Sequence, residues 1–220
     1  MATSVATIDS RGEKCPARRG SVGLEATGIM RTRQISNEAV EKNALERMSA
    51  KAFRRLQEVA WHEAGHAVAM FFLHIPFRHA TIKSDEDSLG HVLSKTPRWF
   101  QPDCDNSDRQ GLYGEKRIIS LFAGRHAQAL FLGRKPRWGY EHDYHAVVHL
   151  SGYLVSPGET ENAFLRYLNF RARDLVNRRT QFIEAVAWAL LEFETIDRDE
   201  VCEAIMPGSI ELRDSLRRAV

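Results

Sequence analysis

The stretch Val59-Ala-Trp-His-Glu-Ala-Gly-His-Ala-Val68 decides how this chain is read. Around it Phe53, Leu56, Ala60, Ala67 and Phe71 recur at spacings of three, four or seven, the period of one helical face. On such a helix His62 and His66 are offset by only about 40° around the axis and about 6 Å along it. Their ring nitrogens can therefore converge on one ion at the ~2.0–2.1 Å that zinc requires. Glu63 sits beside the first histidine, where its carboxylate reaches a water on that ion without ligating the ion. The chemistry expected of this trio is hydrolytic: zinc lowers the pKa of the water, Glu63 takes its proton, and the hydroxide attacks a carbonyl. The small neighbours Ala64, Gly65 and Ala67, with the apolar Val68, Phe71 and Phe72, mark a buried helix rather than a surface one.

Working outward, Ser36 or Asn37 can cap a helix whose pattern continues, in two segments, to His74–Pro76. Ala80-Thr-Ile-Lys and Leu89-Gly-His-Val-Leu-Ser read as two short strands joined by the acidic turn Ser84-Asp-Glu-Asp-Ser88, a small hairpin. The polar segment Arg98–Gln110, with Pro102, reads as a loop, and Asp103-Cys104-Asp105 within it as a solvated acidic turn. A second helix is predicted over Gly114–Leu132, with Ile118, Leu121, Phe122, Ala129 and Leu130 inward and Gly133 stopping it. Inside it Gly124-Arg125 allows close packing on the first helix, and Arg125 can pair with an acid. Further helices are predicted over Asp143–Leu154, Thr160–Val176 and Arg179–Glu194, then a short one capped by Asp197. The fold class is mainly α, with a minor β-hairpin or small sheet.

Composition removes several classes. Met1 to about Asn37 is rich in Ser, Thr, Gly and Arg without an apolar period, which predicts a disordered tail over 1–36 and a folded domain over 37–220. That segment has no apolar core like that of a secretory signal, and its acids Asp9, Glu13 and Glu25 argue against a transit peptide. Cys15, Cys104 and Cys202 are dispersed and odd in number, so a disulfide framework is not expected and a reducing, cytoplasmic setting is. A formal net charge of +2 and scattered tryptophans offer nothing to nucleic acid. The longest apolar run, Ala67–Leu73, is far short of the roughly 20 residues a transmembrane helix needs.

A catalytic zinc needs a third protein ligand. The metzincin extension would put Gly at 69 and His at 72, where this chain has Ala69 and Phe72. The densest alternative source is Gly139-Tyr-Glu-His-Asp-Tyr-His-Ala-Val147, which offers Glu141, His142, Asp143 and His145.

Val59–Val68 resembles the zinc-binding helix of the FtsH family, zinc peptidases fused to an AAA ATPase. The likeness continues in the family's order. His79-Ala-Thr-Ile-Lys and Leu89-Gly-His-Val resemble its short β-segments, and Ile118–Gly133 its Gly-Arg-containing second helix. Gly139–Asp143 resembles the loop ending in its aspartate ligand, and Leu191–Val201 its C-terminal helix junction. Together these cover about Glu41–Ile205. The resemblance implies His62, His66 and Asp143 as zinc ligands and Glu63 as general base, with His142, His145 and Glu141 as rival ligands in a loop bulkier than the family's. It further implies a helical zincin-like peptidase domain acting on unfolded polypeptide and a ring-shaped homo-oligomer. No G-x-x-x-x-G-K-[ST] is present, so two modes of action stay open, cutting of loose or already unfolded chains unaided and action with an ATPase or unfoldase supplied in trans. The competing expectation is a non-proteolytic adaptor that keeps the fold, or a metallopeptidase dedicated to one regulator.

Overall fold

In the computed structural model, residues 49–84 and 89–208 are described. They lie within one compact unit, Ile35–Val220. The expected tail, the helix start at Ser36 or Asn37, and most of the acidic turn fall outside the described residues.

The elements run α1 (Ala50–Phe72), β1 (Phe77–Thr81), β2 (His91–Ser94), α2 (Asp108–Leu132), α3 (Glu141–Ser151), α4 (Glu159–Arg178), α5 (Thr180–Phe193), β3 (Thr195–Asp197) and α6 (Arg198–Ile205). The protein is mainly helical with a small antiparallel sheet, as the periodicities imply. Helix α1 starts where Ser49 Oγ accepts the Ala52 amide, and His74 in the left-handed region (φ 57°) turns the chain out of it. Helix α2 stops at Gly133, whose φ of 66° only glycine adopts at low cost. Helix α6 opens with a full capping box between Asp197 and Glu200.

Three details depart from the sequence expectation. Helix α2 begins at Asp108, six residues before Gly114, so the end of the expected loop is already its first turn. Leu130 is exposed and Ala129 only half-buried; Ala123 and Ala127 face inward instead. The segment after α5 forms a third strand before it turns into a helix, and β3 pairs antiparallel with β1 through Thr81↔Thr195 and His79↔Asp197. The sheet order is therefore β2-β1-β3, with β2 at an edge. A bulge between Phe77 and Ala80 shifts the β1–β2 register, so that Phe77 faces Ser94 but Thr81 faces His91.

Two apolar clusters hold these parts. One joins α1, α5, α6 and the sheet through Ala60, Val68, Ile75, Ile183, Leu190 and Ile196; the other joins α2, α3 and α4 through Ile118, Phe122, Val147 and Leu168. Helix α1 packs against α2 at glycine distance. A Cβ on Gly65 would sit 2.6 Å from Ala127 Cβ and 2.8 Å from the Ala123 carbonyl oxygen. Any larger residue would push the helices apart. Among the described residues no helix is long and apolar enough to cross a membrane.

Candidate metal centre

Helix α1 turns His62, Glu63 and His66 into the interior, where each is buried. The two Nε2 atoms, one helical turn apart, lie 3.0 Å from each other. Helix α3 meets them with its first turn, which carries Asp143. Asp143 Oδ2 lies 3.0 Å from His62 Nε2 and 3.1 Å from His66 Nε2. The three atoms thus form a nearly equilateral triangle, and among the described residues these side chains are grouped as a metal ion would need. A point ~2.0–2.1 Å from all three exists about 1 Å off their plane, so the donor set fits zinc after only small adjustment.

The hydrogen bonds show how the triangle is oriented. His66 Nδ1 lies 2.8 Å from the Ser120 carbonyl oxygen, which can only accept, so Nδ1 carries the proton. In the neutral ring Nε2 is then a lone pair aimed at a carboxylate oxygen and at a second imidazole. Such a cluster is held together by a proton on His62 Nε2, by a second proton on His66, or by a cation seated among the three atoms. A backbone carbonyl holding the far nitrogen is also how metal-binding histidines are commonly oriented. His62 Nδ1 is buried without a partner among the described residues, so that ring is held from its Nε2 side and by packing, edge-on to His66 with centroids 4.6 Å apart.

The ionisation of the cluster follows. Burial disfavours the His66 imidazolium, but the Asp143 charge and hydrogen bond outweigh it and raise its pKa to about 9. Burial would also raise the Asp143 carboxyl, yet His66 and His62 hold it well below the usual carboxylate range. Glu63 is pushed up from its ordinary value by burial, against the pull of both histidines.

Helix α2 forms the floor. A Cβ on Gly124 would stand 2.3 Å from His66 Nε2 and 2.9 Å from His62 Nε2, so only glycine leaves room for the ring edges that face the centre. Its neighbour Arg125 pairs with no acid among the described residues; its guanidinium lies 4.2 Å from the centre of the Tyr140 ring, against the loop that leads into α3. In that loop Gly139 takes φ 85°, and the Glu141 carboxylate accepts the Gly139 and Tyr140 amides at 3.0 and 3.1 Å. Glu141 therefore shapes the turn that delivers Asp143. Of the four residues offered by this loop, Asp143 alone joins the histidine pair; His142 and Glu141 line the adjoining cleft and His145 does not.

That cleft, about 770 Å³, runs over the triangle. Edge strand β2 lines one side with Val92 and Ser94, while Trp138 and Ala146 line another. Gly90 comes so close to Glu63 that a Cβ there would lie 3.1 Å from Glu63 Cγ. From α2 the cleft receives Arg117, Leu121 and Gln128, which the sequence reading passed over. Their spacing of four and seven, with Gly124 in the same stripe, is the signal that could have singled them out. No protein-family model and no curated protein matches the chain.

Proposed function

We propose that this protein is a zinc metalloendopeptidase of the FtsH type that hydrolyses peptide bonds in unfolded or loosely folded polypeptides. The observation that carries the proposal is the triangle of His62 Nε2, His66 Nε2 and Asp143 Oδ2, three atoms of metal-ligating type within 3.1 Å of one another. His62, His66 and Asp143 would hold the zinc. When bound, zinc acts as a Lewis acid on a carbonyl and lowers the pKa of water in its open position.

The remaining work falls to side chains of the chain itself. Glu63, buried beside the triangle with its pKa raised, is the general base that takes a proton from the attacking water. The same carboxyl then gives a proton to the departing amine. Ser120 fixes the tautomer of His66 through its carbonyl, and Gly124 keeps the space under both rings open. Edge strand β2 along the cleft offers a backbone ladder to an extended segment, which favours unfolded chain over folded protein. Metal analysis of the purified protein, with casein cleavage measured with and without a chelator, tests the proposal. About one zinc per chain with chelator-sensitive cleavage is expected. Protein without zinc or without cleavage would point to the adaptor reading instead.

A further inference from the structure

Helix α2 faces the cleft along the stripe Arg117, Leu121, Gly124 and Gln128. At one end of that stripe stands a cation without an anion among the described residues. Arg117 lines the cleft, yet it makes no ion pair among the described residues, and its Nη1 is buried with no protein partner. Burying part of a guanidinium without a counter-charge is costly. The planar guanidinium of Arg117, lining the cleft with no ion pair among the described residues, matches a carboxylate best.

The position in the cleft decides what such an acceptor would be. Arg117 precedes Gly124, which touches both histidine rings, by seven residues, or about 10 Å along the helix axis. Helical side chains lean toward the N-terminus, so the guanidinium comes no nearer to the metal side. This is too far for Arg117 to meet the reacting carbonyl. An extended chain advances ~3.3 Å per residue, so the span corresponds to about three residues of peptide.

We infer that Arg117 is a specificity residue that receives a carboxylate of the substrate, an acidic side chain or a free C-terminus, about two to three residues from the bond to be cut. The inference rests on the peptidase reading for its cleavage site, but the anion site itself can be tested without turnover. The probes are labelled decapeptides in matched pairs, with Glu or Gln stepped through each position and with a free or amidated C-terminus. Their affinity is measured by fluorescence anisotropy on zinc-loaded Glu63→Gln protein, and their cleavage on the wild type.

One carboxylate position should bind about tenfold tighter than its amide partner, and Arg117→Gln in the same background should bring that ratio close to one. A Glu/Gln preference identifies an acidic side chain as the occupant; an acid/amide preference at the terminus identifies the free C-terminus. If the carboxylate preference appears in binding while the wild type cuts nothing, the peptidase reading fails and the anion site stands. If acid and amide bind alike at every position, or if Arg117→Gln keeps the preference, the inference is overturned. Should Arg117→Gln lose its native circular dichroism, Arg117→Lys decides: it keeps the charge but not the planar fork, so the ratio should fall at least threefold, and an undiminished ratio overturns the inference.

Discussion

Replacing Gly124 by Ala adds one methyl group, and its consequence can be worked from the contacts. The new Cβ would lie 2.3 Å from His66 Nε2, 2.6 Å from His66 Cε1 and 2.9 Å from His62 Nε2. An ordinary contact begins near 3.4 Å, so the His66 ring must retreat by about 1.1 Å or α2 must back away from α1. Zinc sites tolerate about 0.2 Å in ligand distance. A shift five times larger should weaken zinc binding by at least 10–100-fold, the scale seen when the groups supporting a metal site are disturbed. Overpacking should cost about 1–3 kcal/mol of stability, partly offset by alanine's helix propensity of about 1 kcal/mol over glycine. Gly111→Ala in the same helix is the control, because a Cβ there meets nothing within 4 Å. It should leave zinc affinity intact and hold or raise stability. Competition with a chromophoric chelator measures the zinc affinity of both variants. Gly124→Ala protein that binds zinc as tightly as Gly111→Ala would refute the close packing of Gly124 beneath the histidines, and with it the assembly of the site from α1, α2 and α3.

Three further outcomes are expected. In the presence of chelator, melting temperature should depend on pH through the His66–Asp143 pair. The folded pKa of His66 is raised to about 9, so its contribution is complete below ~6.5 and fades as pH rises through about 9; the Asp143 carboxyl is depressed, so the same pair also weakens as pH falls below ~4. Asp143→Asn should flatten that dependence, and an unchanged pH profile in thermal melts would contradict the pairing. Gly65→Ala should destabilise the protein by about 1–3 kcal/mol in chemical denaturation, because its Cβ meets α2 backbone as well as Ala127, and wild-type stability would show that the helices are less tightly crossed. Asp197→Ala removes the α6 capping box and should cost about 1 kcal/mol without altering zinc content; a loss of zinc would mean that α6 supports the site.

Much of the candidate metal centre was readable in the sequence because its first half is local. His62, Glu63 and His66 sit within one helical turn, and the 3.6-residue period that defines the helix also places both rings on one side. Asp143 came from the resemblance of its loop rather than from any local period, and the structure brings it to the pair at 3.0–3.1 Å. The hairpin was legible from its β-like residues, although the strand begins at Phe77 rather than Ala80. Strand β3 was not, since Thr195–Asp197 is too short to show alternation and forms through pairing with β1 more than a hundred residues earlier. The start of α2 was missed because its first turn is polar. Leu130 misled for another reason: its apolar side chain fits the period but the neighbouring helices do not cover it. The contacts of Gly124 and the unpaired state of Arg117 depend on what lies across the helix interface, which no single segment encodes.

The central claim is that Glu63 does chemistry beside a zinc it does not hold. The direct test is the Glu63→Gln protein, an almost isosteric change at a buried site, in which zinc content and casein cleavage are measured on one preparation. One zinc per chain, bound as in the wild type, with cleavage reduced by about 10²–10⁴-fold is the predicted result. Cleavage at the wild-type rate would contradict the general-base role, and loss of the zinc would mean that Glu63 belongs to the ligand set.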